Sequence, residues 1–225
     1  MKAGFVPGVP VQALLDAQAE VWRQAPSEAV ALIGAPSALQ PTAAVRAEFP
    51  DGRIGAVKQV AIAVLHNGSE LAFRLTWQDP SADTGADGQD DVGFPDAAAI
   101  LFPSRPHAPL MTMGAPGLPV TAWYWRADEN GRGRQVTAEG LGTSQTVDRD
   151  QVFAQGVYGN GRWAVVIARA LRAQSAGPVA QFETGAAANF SVAVWEGSHA
   201  ERAGIKAISL GPLSGWHELV VDGRT

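Results

Sequence analysis

Two methionines lie in a proline-stiffened loop rather than in a strand. The segment from Pro109 to Gly117 contains Met111 and Met113 among prolines and glycines. A methionine that only fills a β-protein core is expected at an alternating apolar position. Gly114 and Gly117 have no side chain, so a large group can approach the backbone there closely. Because a thioether is a soft neutral ligand suited to haem iron and copper(I), the loop is a candidate ligand site.

Several other chemistries lack their residues. The 225-residue chain has no cysteine, which excludes disulfides, iron–sulfur clusters, thiolate zinc sites and a cysteine nucleophile within it. Its four histidines (His66, His107, His199 and His217) form no HExxH pair, and no G-x-S-x-G pattern is present. A stand-alone hydrolase is therefore the weakest of the functions considered.

The charge balance argues against polyanionic partners. The chain has 17 basic and 22 acidic residues, a net charge of -5, and no basic tract. Nucleic-acid binding and attachment to anionic membranes therefore lack their electrostatic basis. No apolar run approaches the roughly 18 residues that span a bilayer, so no membrane span is expected.

Residues 79–96 form a polar, acidic loop. It contains Asp83, Asp87, Asp90 and Asp91, whose oxygens could bind calcium. The spacing does not match an EF-hand and no glutamate closes the loop. A solvated surface loop is the expected structure.

Seven tryptophans are a high number for this length. Most are expected in the core, because strand alternation faces them inward. The sharper alternatives are an aromatic platform for sugars or a wall for a flat cofactor.

Alternating apolar residues predict short strands throughout the chain. Two hairpins are expected, one around Asn67-Gly68 and one around Asn160-Gly161, since Asn-Gly between alternating runs is a strong turn signal. Further strands are predicted at 97–102, 119–126, 180–184, 189–196 and 216–222. About nine or ten strands with Gly/Pro punctuation favour an all-β fold, an antiparallel β-sandwich with a few short helices in its loops.

The whole chain, 1–225, is predicted to form a single domain with an N-terminal arm over about residues 1–41. Within that arm, Val11, Leu14, Leu15 and Trp22 fit one face of a helix that Pro26 ends. An extended crossing segment is expected to follow.

Several stretches resemble a known family, the haem-b-binding gamma subunits of the periplasmic molybdenum enzymes that include ethylbenzene dehydrogenase, dimethyl sulfide dehydrogenase, selenate reductase and chlorate reductase. The similarity covers nearly the whole chain. No single stretch is specific for the family, but the order and spacing of the stretches together are. The matching stretches are residues 9–26, 94–103, 113–120 running into Trp123-Tyr124-Trp125, 190–197 and 201–209.

The resemblance implies a β-sandwich that holds one haem b, with a methionine and a lysine as the two ligands of the iron. Met113, which directly precedes Gly114-x-Pro116-Gly117, falls at the family's methionine position, and Lys206 falls at its lysine position. Met111, two residues away and in register, is the rival ligand. The stretch 211–215 before Trp216 is longer than the family pattern.

The residues around Lys206 are compatible with that role. The chain has only three lysines against 14 arginines, yet Lys206 stands beside Ile205, Ala207 and Ile208. Arginine could not replace it as a ligand, because a guanidinium stays protonated. Without the family similarity, a lysine that extends along an apolar surface to solvent is the simpler interpretation.

The resemblance further implies a non-catalytic electron-transfer subunit, since a haem with two protein ligands has no open position for substrate. The implied partners are a molybdenum catalytic alpha subunit, an iron–sulfur beta subunit and a soluble cytochrome c-type carrier. The implied location is the periplasm, although the first residues contain no apolar segment typical of a signal peptide. The alternative function is a carbohydrate-binding β-sandwich module, which would share the architecture and use exposed tryptophans.

Overall fold

The computed structural model describes residues 1–85, 93–174 and 177–223, and these are mostly β-strand. Two short helices are present among them, α1 (Val11–Leu15) and α2 (Ala43–Glu48). The strands are β1 (Lys2–Phe5), β2 (Ser27–Gly34), β3 (Gln59–His66), β4 (Glu70–Gln78), β5 (Ala97–Pro103), β6 (Gly114–Ala115), β7 (Leu118–Arg126), β8 (Gly133–Ala138), β9 (Gln145–Asp148), β10 (Val152–Tyr158), β11 (Arg162–Ala170), β12 (Ala187–Trp195), β13 (Ala207–Ser209) and β14 (His217–Val221).

The strands form two packed layers, which confirms the predicted all-β sandwich. The first layer has the order β10-β11-β4-β3, and the second has the order β12-β5-β7-β8-β9. Strands β1 and β14 connect β3 to β12, and β1 pairs in parallel with both of its neighbours. Strand β2 pairs with β3 through residues 27–31 and with β13 through residues 32–34, so the layers are joined twice.

Aromatic side chains fill the space between the layers. Phe73 of β4 lies 6.0 Å from Trp123 of β7, and Trp77 lies 6.4 Å from Trp125, measured between ring centroids. None of the seven tryptophans is more than 7% exposed, so the prediction that most of them pack in the core is confirmed. The described surface therefore offers no exposed tryptophan as a platform for sugars.

The outward-facing side of each layer is also covered. Leu14 and Trp22 of the N-terminal segment pack on the first layer, against residues such as Ala72 and Val166. The second layer is covered by the segment between β5 and β7, which packs with Leu110 and Met113 on its outer face. This second covering segment contains the methionine loop.

Both predicted hairpins are confirmed. In the turn between β3 and β4, the Asn67 side chain accepts hydrogen bonds from the backbone N–H groups of Ser69 and Glu70, at 2.9 and 2.8 Å. In the turn between β10 and β11, Asn160 and Gly161 have positive φ angles of 53° and 69°. Such angles match the right-handed twist of the flanking strands, which is why Asn-Gly pairs mark these turns.

Other element predictions were wrong. No strand forms over 180–184; Phe182 enters the core, but its N–H bonds only to the carbonyl of Leu171. The N-terminal helix ends at Leu15, because the Asp16 side chain accepts a hydrogen bond from the N–H of Gln18 and closes a turn. The segment after Pro26 is strand β2, and the arm also supplies β1.

The acidic loop is only partly solvated, because Asp83 belongs to a buried cluster. Its carboxylate lies beside those of Asp79, Asp96 and Glu196. One carboxylate oxygen from each of the four residues lies within 4.8 Å of the others. Asp96 is fully buried and accepts hydrogen bonds from the Trp163 indole and from two backbone N–H groups. The other three aspartates of the loop (Asp87, Asp90 and Asp91) lie outside the described residues.

Burial is the main cause that raises the pKa of Asp96 to about 7 and that of Asp79 to about 6. Both groups titrate near 4 in an unfolded chain. The folded chain therefore retains protons that the unfolded chain has lost between these values. The stabilising contribution is complete below pH 4 and is lost as the pH rises through about 7.

We expect the free energy of unfolding of the wild type, relative to Asp96→Asn, to fall as the pH rises from 5 to 7. The linkage slope is at most about 1.4 kcal/mol per pH unit. Urea unfolding in EDTA-containing buffer measures the difference, with exposed Asp150→Asn as the control. A difference that is constant or grows with pH would contradict this account.

Candidate functional site

A strained turn presents the Met113 side chain. Met113 and Gly114 both have positive φ angles, 55° and 91°, and their N–H groups donate to the carbonyls of Leu110 and Pro109. A Cβ atom at Gly114 would lie 2.7 Å from the carbonyl oxygen of Ala138. A glycine is therefore required here, and the turn is held tightly against the β8 end of the second layer.

Lys206 reaches the same place from the other end of the chain. It directly precedes β13, is only 6% exposed, and shares the outer face of the second layer with Ile208. Its Nζ atom lies 3.3 Å from the Sδ atom of Met113. The two residues are 93 positions apart in sequence, so only the tertiary fold brings them together.

No acidic side chain neutralises Lys206 within ion-pair distance in the described parts of the chain. Its remaining contact with a polar or aromatic group is with the Trp195 ring, whose centroid lies 5.4 Å from Nζ. Burial lowers the pKa of Lys206 to about 8. Because water is excluded and no carboxylate is near, a neutral amine with a free lone pair is accessible at this position.

Small side chains form a flat floor beside this pair. On the outer face of the second layer, Ala99 stands opposite both Tyr124 and Ala193, and Ala122 stands opposite Leu101. The methyl groups of Ala99 and Ala122 leave a space above the sheet that larger side chains would occupy. The resulting cavity of about 480 Å³ is within the range of small-molecule and cofactor sites.

The rim of the cavity is mixed in character. Met111 and the 43% exposed Leu141 contribute apolar surface, and Arg134 contributes a guanidinium that is paired bidentately with Glu129. Burial raises the pKa of Tyr124 to about 12, so this residue of the cavity wall stays protonated and can donate a hydrogen bond.

A planar group that carries a metal fits this arrangement. The cavity offers a flat apolar floor, a soft thioether and an amine that can be neutral, and these are the donor types suited to a low-charge, polarisable metal centre. Hard cations such as Ca²⁺ prefer several oxygen ligands, which the two converging donors do not provide. The chemistry of the donor set therefore favours a redox metal in an organic frame.

Both predicted site residues, Met113 and Lys206, are brought together. Met111 lines the same cavity, but the sulfur that contacts Lys206 belongs to Met113. Neither His199 nor His217 lines this cavity, and His199 is hydrogen-bonded to Glu196. The alanine floor and Tyr124 were missed; the run Ala97-Ala98-Ala99 was the available signal, but its meaning depends on strand register.

Comparisons with known proteins show the family of the chain. A sequence model of the ethylbenzene dehydrogenase family matches residues 19–149 and 133–207. A Haloferax mediterranei protein assigned as a respiratory nitrate reductase haem subunit is 33% identical over 195 residues, which is 84% of this chain and 64% of that protein. The chain thus spans slightly less than two thirds of that relative.

Two further relatives are named as gamma subunits. The chlorate reductase subunit gamma of Ideonella dechloratans is 33% identical over 86% of this chain and 75% of its own length. The dimethylsulfide dehydrogenase subunit gamma of Rhodovulum sulfidophilum is 27% identical over 84% of this chain and 70% of its own length.

Among solved structures, a family 9 carbohydrate-binding module from Caldicellulosiruptor kristjanssonii in complex with glucose superposes with a TM-score of 0.55. It is 10% identical and covers all of this chain and 96% of the module, a likeness of fold alone. No helix in the described ranges is long and apolar enough to cross a membrane. Because the family match extends from residue 19 to residue 207, the chain belongs to the ethylbenzene dehydrogenase family.

Proposed function

We propose that this protein is an electron-transfer subunit that binds one haem b, with Met113 and Lys206 as the two ligands of the iron. The observation that carries the proposal is the 3.3 Å contact between Nζ and Sδ beside a cavity of about 480 Å³. The haem-subunit assignment of the haloarchaeal relative supports it independently.

A haem held there would supply reversible one-electron transfer at its iron. Met113 contributes a neutral thioether, which favours the ferrous over the ferric state and so raises the potential. Lys206 binds only as a neutral amine, so its Nζ must release a proton to solvent when it becomes a ligand. Met113 and Lys206 would hold the iron through side chains that each have several rotatable bonds, so the distance between Sδ and Nζ can adjust.

The surroundings of the two ligands restrict other reactions. The turn at Gly114 and the start of β13 fix the two backbones, which limits rearrangement between oxidation states. A haem held by both Met113 and Lys206 would have no free coordination position for a substrate. We therefore propose a non-catalytic role within an oxidoreductase complex.

The proposed partners follow from the relatives and from the composition. Two relatives are gamma subunits of chlorate reductase and dimethylsulfide dehydrogenase, which supports assembly with a molybdenum catalytic subunit. The chain has no cysteine, so an iron–sulfur relay must be carried by another subunit. We propose a soluble cytochrome c-type protein as the external carrier and the periplasm as the location.

Carbohydrate binding is the competing function, because the fold resembles a sugar-binding module. The burial of every tryptophan weighs against it, since sugar platforms need exposed aromatic faces.

The absorption spectrum of the purified chain tests the proposal. We expect a Soret band and a b-type pyridine haemochrome, with bands that shift on reduction. A colourless protein that cannot be reconstituted with haem, and that binds glycans instead, would reject the proposal in favour of the carbohydrate-binding module.

Replacing Met113 should change the ligation of the iron, whereas replacing Met111 should not. Met113→Ala removes the sulfur that contacts Lys206, and Met111→Ala is the matched control from the same cavity. Optical and electron paramagnetic resonance spectra compare the variants. Equal loss of the six-coordinate signature in both would refute the assignment of Met113.

Lys206→Ala should give a five-coordinate haem or an altered low-spin spectrum, because the amine that contacts the sulfur of Met113 is lost. Lys58→Ala is the control, since the Lys58 amine donates to the carbonyl of Gly55 and is not part of the cavity wall. An unchanged spectrum in Lys206→Ala would redirect the search for the second ligand to His199 or His217.

A further inference from the structure

A buried arginine lies inside the sandwich, behind the floor of the cavity. Arg169 of β11 is fully buried and points between the layers. Its guanidinium donates to the side-chain oxygen of Gln135 at 2.9 Å and to the backbone carbonyls of Ala170 and Ala180. All three acceptors are neutral, so they satisfy the hydrogen bonds without balancing the charge.

The positive charge of Arg169 is uncompensated. No carboxylate of residues 1–85, 93–174 or 177–223 lies within ion-pair distance of it. The guanidinium stacks over Trp123 at 4.8 Å and over Phe182 at 5.6 Å, measured to the ring centroids. Burial lowers its pKa only to about 10, so the group is charged at neutral pH. An unpaired buried charge lowers the stability of a core, and a hydrophobic residue would stabilise this position more.

Gln135 connects this charge to the cavity. Its side-chain oxygen accepts from Arg169, while its Nε2 donates to the backbone carbonyl of Ala122 at 3.3 Å. Ala122 turns its methyl group to the other side of the sheet and forms part of the cavity wall. The guanidinium and the cavity are therefore separated by one β-sheet layer, and Arg169, Gln135 and Ala122 are all buried.

We infer that Arg169 is an electrostatic tuning residue, which acts across the sheet to favour the reduced form of a redox group in the cavity. The inference rests on the proposed haem function. An added electron lowers the positive charge of the site, so a nearby fixed cation stabilises the reduced state and raises the reduction potential. Because the side chains between the guanidinium and the cavity are buried, salt in the buffer screens the interaction little.

The test is a reduction potential measured spectroscopically on the haem-loaded full chain. Arg169→Gln removes the charge but keeps an amide donor for neighbouring carbonyls, and Arg169→Met is a second neutral variant of similar length. Arg169→Lys keeps the charge. Arg74→Gln is the matched control, since Arg74 is half-buried on the opposite face of the first layer, where it stacks over Trp22.

We expect the neutral variants of Arg169 to lower the equilibrium constant for one-electron reduction about tenfold, which is about 59 mV. Arg169→Lys should retain most of the wild-type potential, and Arg74→Gln all of it. The optical spectra of the variants should stay low-spin, because neither ligand is touched.

Two results would overturn the inference. One is an unchanged potential in the neutral variants, with or without reduced thermal stability, which would make Arg169 a purely structural residue. The other is an equal drop in Arg169→Lys and Arg169→Gln, which would assign the effect to hydrogen-bond geometry rather than charge. A wild-type chain that takes up no haem would reject the proposed function itself, and is thereby distinguished from both.

Discussion

The site depends on an amine that is buried against a thioether, with no carboxylate of the described residues within ion-pair distance of it. A lysine in such a place is normally unfavourable, because its charge loses hydration without gaining a partner. Strand β13, which begins at Ala207 directly after Lys206, fixes the backbone of Lys206, and the glycine-dependent turn fixes that of Met113. The contact between the two side chains is therefore maintained. The site is therefore formed by two segments that are distant in sequence and that the fold brings together.

The two faces of the second layer have different tasks. The inner face carries large aromatic rings that interlock with the first layer and supply most of the apolar burial. The outer face carries the small side chains of Ala99 and Ala122 beside the larger Leu101 and Tyr124, and a cavity lies there next to Met113. Strand alternation thus lets one face of the sheet form the core and the other face line the cavity. The Gln135 side chain is hydrogen-bonded to Arg169 in the core and to the backbone of Ala122, whose methyl group lines the cavity.

Local sequence signals gave much of the fold but little of the site. Asn-Gly turns and alternating runs located both hairpins, since those signals act within a few residues. The strand predicted at 180–184 does not form, because Phe182 packs in the core from an irregular segment that pairs with no strand. The exposed strand β9 was missed, as it lacks apolar alternation. Family similarity identified Met113 and Lys206, whereas the alanine floor and Arg169 depend on registers that no local pattern encodes.

The position of the cavity outside the aromatic interior has a consequence for stability. The interlocked rings that supply most of the apolar burial lie on the other side of the sheet from the cavity. This burial is therefore present whether or not the cavity is filled. In a small protein whose ligand sits at the centre of the core, by contrast, binding of the ligand contributes directly to the free energy of folding.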